Sequence, residues 1–296
     1  MMDTVDVASD RDEWTRESLE TCGAEYSEKV LILDSDQESL YDENWQISLR
    51  ASGWKLMYFS FFHEHRFHAD IVLNQNIRAP ELSYRTAAYT QLLLGTQYVI
   101  LNDSFRQVAE KQSLTVKKEG CCMLFFGGAD GKGLTVRVLS ALLNHERIFK
   151  KLIVVVGALN PDRTAIEKLC AQANSYTELH VNTPEMPQLM TSCEYAITSG
   201  GLTLWELATL NVLQLVIPTS ERERLTVAYC EEKGLVYHYQ GEVEAEALFC
   251  WIQTVMSESN HKSMVAGFQR EVGINGVGLV ATEIVRLFES DGENNA

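Results

Sequence analysis

The chain has 296 residues, 46% of them hydrophobic, enough for one large buried core or two ordinary ones. Its formal charge of −16, with basic residues scattered along the chain, argues against a nucleic-acid partner but leaves room for a local site for one phosphate group. No apolar run is longer than a strand, so no membrane span is expected, and the acidic start (Asp3, Asp6, Asp10, Asp12) is not that of a signal peptide.

Seven cysteines stand without a spaced framework or a Cys-x-x-Cys pair, which reads as reduced, mostly buried thiols in a soluble cytoplasmic protein without a structural zinc. Residues 1–10 read as disordered and 12–22 as a short helix. Strands are then expected at 29–34, 55–59, 70–73 and 97–101, with a helix over 43–52 ended by Gly53. The polar segment 112–119 reads as a linker. A cleaner cycle follows it, with strands at 121–126, 152–156, 179–181, 194–197, 213–217 and 236–239. Helices are expected between them at 134–143, 163–173, 186–192, 203–210 and 221–233, and two more, 242–257 and 276–288, close the chain. Continuous Val/Ile/Leu strands alternating with helices predict parallel sheets covered on both faces. The expected organisation is a tail (1–27), a reduced amino-terminal α/β lobe (28–115) and a carboxyl-terminal α/β lobe (116–296).

The stretch that organises the second lobe is Ile197-Thr198-Ser199-Gly200-Gly201-Leu202-Thr203-Leu204-Trp205-Glu206. Two glycines between a strand and a helix let a ligand approach the backbone. The first turn of that helix offers free N–H groups to an anion, and Glu206 offers a carboxylate to a sugar hydroxyl. A nucleotide satisfies both. The alternative for the same residues is a plain strand–turn–helix with Thr203 as N-cap and Glu206 completing a capping box.

A second Gly-rich loop, Gly127-Gly128-Ala129-Asp130-Gly131-Lys132-Gly133, has neither the Walker nor the dinucleotide pattern, and reads as a wall approaching a sugar or phosphate or as an ordinary turn. Asn160-Pro161 and the segment 180–190 end strands on the same edge. A base could lie against the backbone there, while Met186, Leu189 and Met190 have the spacing of core residues. His63, His65 and His68 lack accompanying metal ligands and read as a solvated loop. No nucleophile motif is present.

On these residues the chain resembles the PseG/SpsG-like UDP-sugar hydrolases of pseudaminic acid biosynthesis, relatives of the MurG-type glycosyltransferases. The matching pieces are Phe126 to Asp130, Gly157 to Pro161, Met186 to Met190, Ser199 to Glu206, Ala69 to Asn76 and Gly276-Val277-Gly278. The resemblance implies a GT-B fold of two Rossmann-like lobes, the first reduced, with UDP in the second. Its diphosphate would lie at Gly200, Gly201, Leu202 and Thr203, its ribose at Glu206 and its uracil near 181–189. The UDP-binding set is then Gly127, Gly128, Asn160, Met186, Leu189, Ser199, Gly200, Gly201, Leu202, Thr203 and Glu206, with no metal or cofactor.

The family's reaction is hydrolysis of a UDP-linked diacetamido-trideoxy sugar. Its Gly-x-Gly-His loop, which carries the catalytic role, has no counterpart here, and Ser60-Phe61-Phe62 stands where acidic residues are common. No catalytic residue is therefore assigned, and a partner chain supplying the loop is one expectation. A non-catalytic nucleotide-sugar-binding homologue and a GT-B glycosyltransferase are the alternatives.

Overall fold

A computed structural model describes residues 26–111 and 119–293. The expected tail and helix at 1–22 and most of the expected linker lie outside the described residues. Among these the chain forms two units. The smaller takes in the chain up to Asn74, Leu82–Leu93 and the carboxyl end from Thr282, and the larger is Gln75–Glu81 with Leu94–Ala281.

In the smaller unit β1 (Val30–Leu33), β2 (Lys55–Phe59), β4 (Ile71–Asn74) and β6 (Gln91–Leu94) form a sheet in the order β1-β2-β4-β6, with β1, β2 and β4 paired in parallel. Two short strands, β3 (Arg66–Phe67) and β5 (Arg85–Thr86), pair beside it. Helix α1 (Glu43–Ala51) starts where Asp42 accepts a 2.8 Å bond from Trp45 N, and ends before Gly53, whose φ of +85° suits glycine. Leu49, Leu56, Tyr58, Phe67, Ala69 and Val72 are buried in its core. Asp70 accepts from Leu56 N at 2.8 Å and pairs with Arg50 at 2.9 Å, so this residue of the Ala69 to Asn76 motif is structural.

The strand expected at 97–101 lies at Gln91–Leu94 instead. Gly95, at φ +97°, ends the extended run, and Thr96–Tyr98 is a 3-10 turn. Val99, Leu101 and then Phe105, on an unforeseen helix α2 (Asp103–Lys111), enter the core of the larger unit. The larger unit therefore begins again at Leu94, and the residues from Thr282 belong to the smaller one. The expected histidine loop is held by separate partners. His63 pairs with Glu64, His65 stacks on Tyr41 at 4.3 Å, and His68 pairs with Glu43 at 3.2 Å.

The larger unit holds β7 (Cys121–Phe125), β8 (Lys151–Val156), β9 (Thr177–Val181), β10 (Tyr195–Thr198), β11 (Leu213–Val216) and β12 (Tyr237–His238), all paired in parallel in the order β12-β11-β10-β7-β8-β9. Its helices are α3 (Leu134–Leu143), α4 (Arg163–Ala173), α5 (Met186–Thr191), α6 (Thr203–Thr209), α7 (Glu221–Glu232), α8 (Ala245–Ser257), the unforeseen α9 (His261–Glu271) and the start of α10 (Gly276–Glu293).

Alternate residues of each strand face opposite layers. Cys122, Leu124, Leu152, Val154 and Ile197 pack under α3, α4 and α8. Cys121, Met123, Ile153, Val155 and Ala196 pack under α2, α5, α6, α7 and α9. In the Gly276-Val277-Gly278 motif Gly276 serves packing, because a Cβ there would lie 2.1 Å from Val99 O. Among the described residues no helix is long and apolar enough to cross a membrane.

Candidate functional site

Numbered within the larger unit, the strands run in the order 3-2-1-4-5-6, and that order reverses between its first strand, β7, and its fourth, β10. A doubly wound sheet binds ligands outside the carboxyl ends of the strands at this reversal, because the crossovers diverge there to opposite faces and leave a crevice. Phe125 and Thr198, the last residues of β7 and β10, are register partners. Both Gly-rich loops thus open at the reversal.

The loop after β7 is shaped by its own groups. Gly127 takes φ +83° and Gly133 φ +61°. The buried Asp130 accepts from Leu134 N at 2.9 Å and Thr135 N at 2.8 Å, so its carboxylate already occupies the amino end of α3. Asp130→Ala is expected to cost about 0.5–2 kcal/mol of stability, as loss of a helix cap does. Chemical denaturation of the two proteins checks it.

Gly128 has open space at its missing Cβ, whereas a Cβ on Gly157, after β8, would lie 2.1 Å from Gly128 O. The two loops therefore touch backbone to backbone. In the β8 loop the buried Asn160 accepts from Asp162 N at 2.9 Å, and its Nδ2 has no hydrogen-bond partner among the described residues. Leu189 is buried in the core and Met186 packs at its margin.

The loop after β10 carries Ser199 and Gly200 buried, Gly201 half-buried and Leu202 exposed. Its two glycines do different things. A Cβ on Gly200 would lie 2.7 Å from Val227 Cγ2 and 2.8 Å from Glu223 Cβ, so Gly200 lets α7 pack against the loop. A Cβ on Gly201 would meet nothing nearer than Glu223 Oε1 at 3.7 Å, so this residue leaves its surroundings open.

The cap at Thr203 that the alternative reading requires is not formed. Leu202 begins α6, its carbonyl accepting from Trp205 N at 3.0 Å and Glu206 N at 3.3 Å, with no side-chain cap. Thr203 instead bonds the Glu206 side chain. Leu204 and Leu207 are buried, and Trp205 meets Phe268 of α9 edge-on at 5.8 Å, which anchors α6. At seven residues α6 has a modest dipole, so the loop geometry carries more of the anion argument than the helix does.

Two features at this loop are unusual for a scaffold. Burial pushes the Glu206 carboxyl from an ordinary 4.5 up to about 7, lowered only in part by the Thr203 hydrogen bond and without a neighbouring cation. The Thr198 hydroxyl, fully buried at the tip of β10, has no hydrogen-bond partner among the described residues. Glu223 was not singled out from sequence, yet its Oε2 accepts from Gly200 N at 3.1 Å, Thr219 N at 2.6 Å and Thr219 Oγ1 at 2.9 Å. The readable signal was Ser220-x-x-Glu223 at a helix start, the pattern of a capping box, and Ser220 does accept from Glu223 N at 3.2 Å.

No protein-family profile matches the chain. It is similar to the spore coat polysaccharide biosynthesis protein SpsG of Bacillus subtilis, 28% identical over 148 residues that make up 49% of this chain and 42% of that one. It is also similar to an uncharacterised protein of Methanocaldococcus jannaschii, 30% identical over 165 residues, 53% of this chain and 34% of the other. Each match therefore spans less than half of the relative.

Among solved structures it is similar to the spinosyn rhamnosyltransferase SpnG complexed with thymidine diphosphate, with a TM-score of 0.63 at 15% identity, covering 90% of this chain and 75% of that one. Acinetobacter baumannii MurG gives 0.56 at 16%, covering 81% and 69%. Anabaena HepE in complex with UDP-glucose gives 0.54 at 12%, covering 93% and 81%. The fold is of the GT-B class. At these identities the structural likeness bears on fold alone, and the nucleotides are those of the neighbours.

Proposed function

We propose that the larger unit binds a UDP-linked sugar at the β7–β10 reversal and that the protein is a hydrolase releasing UDP from it. The observation that carries the binding half is the placement of both Gly-rich loops at the strand-order reversal, with the half-buried carboxyl of Glu206 on the helix that follows. In this reading the diphosphate lies along Ser199, Gly200, Gly201, Leu202 and Thr203, and Glu206 accepts from the ribose hydroxyls. Gly127 and Gly128 wall the sugar side, and the base lies by Asn160 and the backbone at Met186 and Leu189.

The hydrolase half rests on the resemblance of Ser199 to Glu206 to the UDP-sugar hydrolases and on the similarity to SpsG. The fold neighbours that are glycosyltransferases support a second reading, transfer of the sugar to an acceptor. No residue is assigned a catalytic role in either.

Incubating the protein with UDP-linked diacetamido-trideoxy sugar and measuring released UDP separates the two. Release in the absence of acceptor is the expected result. Binding without release unless an acceptor is added would replace hydrolysis by transfer, and binding without release under either condition would leave a nucleotide-sugar-binding protein.

A further inference from the structure

We propose that Glu223 is a built-in competitor for the anion site, a carboxylate of the chain itself that holds the Gly200 and Thr219 N–H groups until a ligand's phosphate displaces it. The inference rests on the reading that the Ser199 to Thr203 loop takes a diphosphate. The Gly200 N–H is a single donor, and Glu223 Oε2 takes it at 3.1 Å together with Thr219 N at 2.6 Å and Thr219 Oγ1 at 2.9 Å. Three donors converging on one carboxylate oxygen are an arrangement that accepts an anion, and here the anion is internal.

The stem of the side chain is fixed by packing, whereas its head is held by hydrogen bonds that a competing anion can replace. A Cβ on Gly200 would lie 2.8 Å from Glu223 Cβ, so α7 is packed hard against the loop at that atom, whereas Glu223 Oε1 has only a van der Waals approach to the Gly201 position, at 3.7 Å. The start of α7 does not depend on the carboxylate, because Ser220 caps it by accepting from Glu223 N at 3.2 Å. The head can therefore rotate away without undoing the helix. With the carboxylate in place, a phosphate at Gly200 would face a like charge and a donor already engaged, and both lower its affinity. Glu223 thus sets the anion affinity of the loop.

Calorimetric titration of the full chain and of Glu223→Gln with UDP, pyrophosphate and uridine tests this, with Glu223→Ala as a second variant and thermal melts to establish that each is folded. Removing the charge is expected to tighten UDP and pyrophosphate roughly tenfold, the effect of relieving one like-charge contact, and to leave uridine unchanged. UDP bound by the wild type, and bound no more tightly by either folded variant, would overturn the proposal while leaving the nucleotide reading in place. Failure of every variant to bind either UDP or uridine would remove the nucleotide reading and the proposal with it.

Discussion

Glu206→Gln is expected to make the protein more stable at pH 8 and a poorer binder of UDP at the same time. The carboxyl of Glu206 titrates near 7 in the folded protein against an ordinary 4.5, because burial penalises its charged form. Between those two values the folded state holds a proton that the unfolded state has released. Stability therefore falls as pH rises from about 4.5 through 7, and the cost is complete above 7. A shift of that size corresponds to at most about 3 kcal/mol, less whatever solvent reaches the half-buried group.

A neutral glutamine of the same shape removes that cost above pH 7 and changes little below pH 4.5. Denaturant melts of both proteins at pH 5 and pH 8 check the sign. A variant no more stable at pH 8 than the wild type would show that Glu206 is better solvated than its surroundings indicate. The same substitution takes an ionised acceptor from the proposed ribose subsite, as Glu206→Ala does more completely. Since Leu202 begins α6 without a side-chain cap, a loss of UDP affinity in either variant cannot be ascribed to a broken capping box.

The second large effect separates the two glycines of the loop. Gly201→Val is expected to leave the fold intact and abolish diphosphate binding, since only Glu223 Oε1, at 3.7 Å, approaches the space its Cβ would take. Gly200→Ala is expected to cost about 1–3 kcal/mol by overpacking before any question of ligand arises, with Val227 and Glu223 less than 3 Å from the new methyl group. Thermal melts and UDP titrations of both variants form the test. A Gly201→Val protein that folds and still binds UDP would remove the phosphate from this loop, and a Gly200→Ala protein as stable as wild type would show that α7 can retreat.

The strands of the larger unit were legible because each is a continuous apolar run closed by a turn, and a sheet buried on both faces asks for little more. Helix α9 was missed: His261–Glu271 mixes charged residues with Met264 and Phe268, and its helical face is defined by what it packs against rather than by its own pattern. The strand displaced from 97–101 to Gln91–Leu94 shows the converse. Val99 and Leu101 are apolar because they enter the larger unit's core, and apolar character alone does not reveal which partner it serves.

At the candidate site the glycines were visible but their separate roles were not. Gly200 answers to a helix that begins only at Glu221, and Gly157 to the backbone of Gly128. Glu223 went unnoticed for the same reason. Its partners, Gly200 and Thr219, come together only when α7 folds back across the loop after β10.

The most direct test of the whole account is calorimetric titration of the full chain with UDP, repeated on Gly201→Val after its melt has shown it folded. One saturable site in the wild type that is lost in the variant is the predicted result. No heat of binding in the wild type, or equal binding in the two, would contradict a diphosphate site at the β7–β10 reversal.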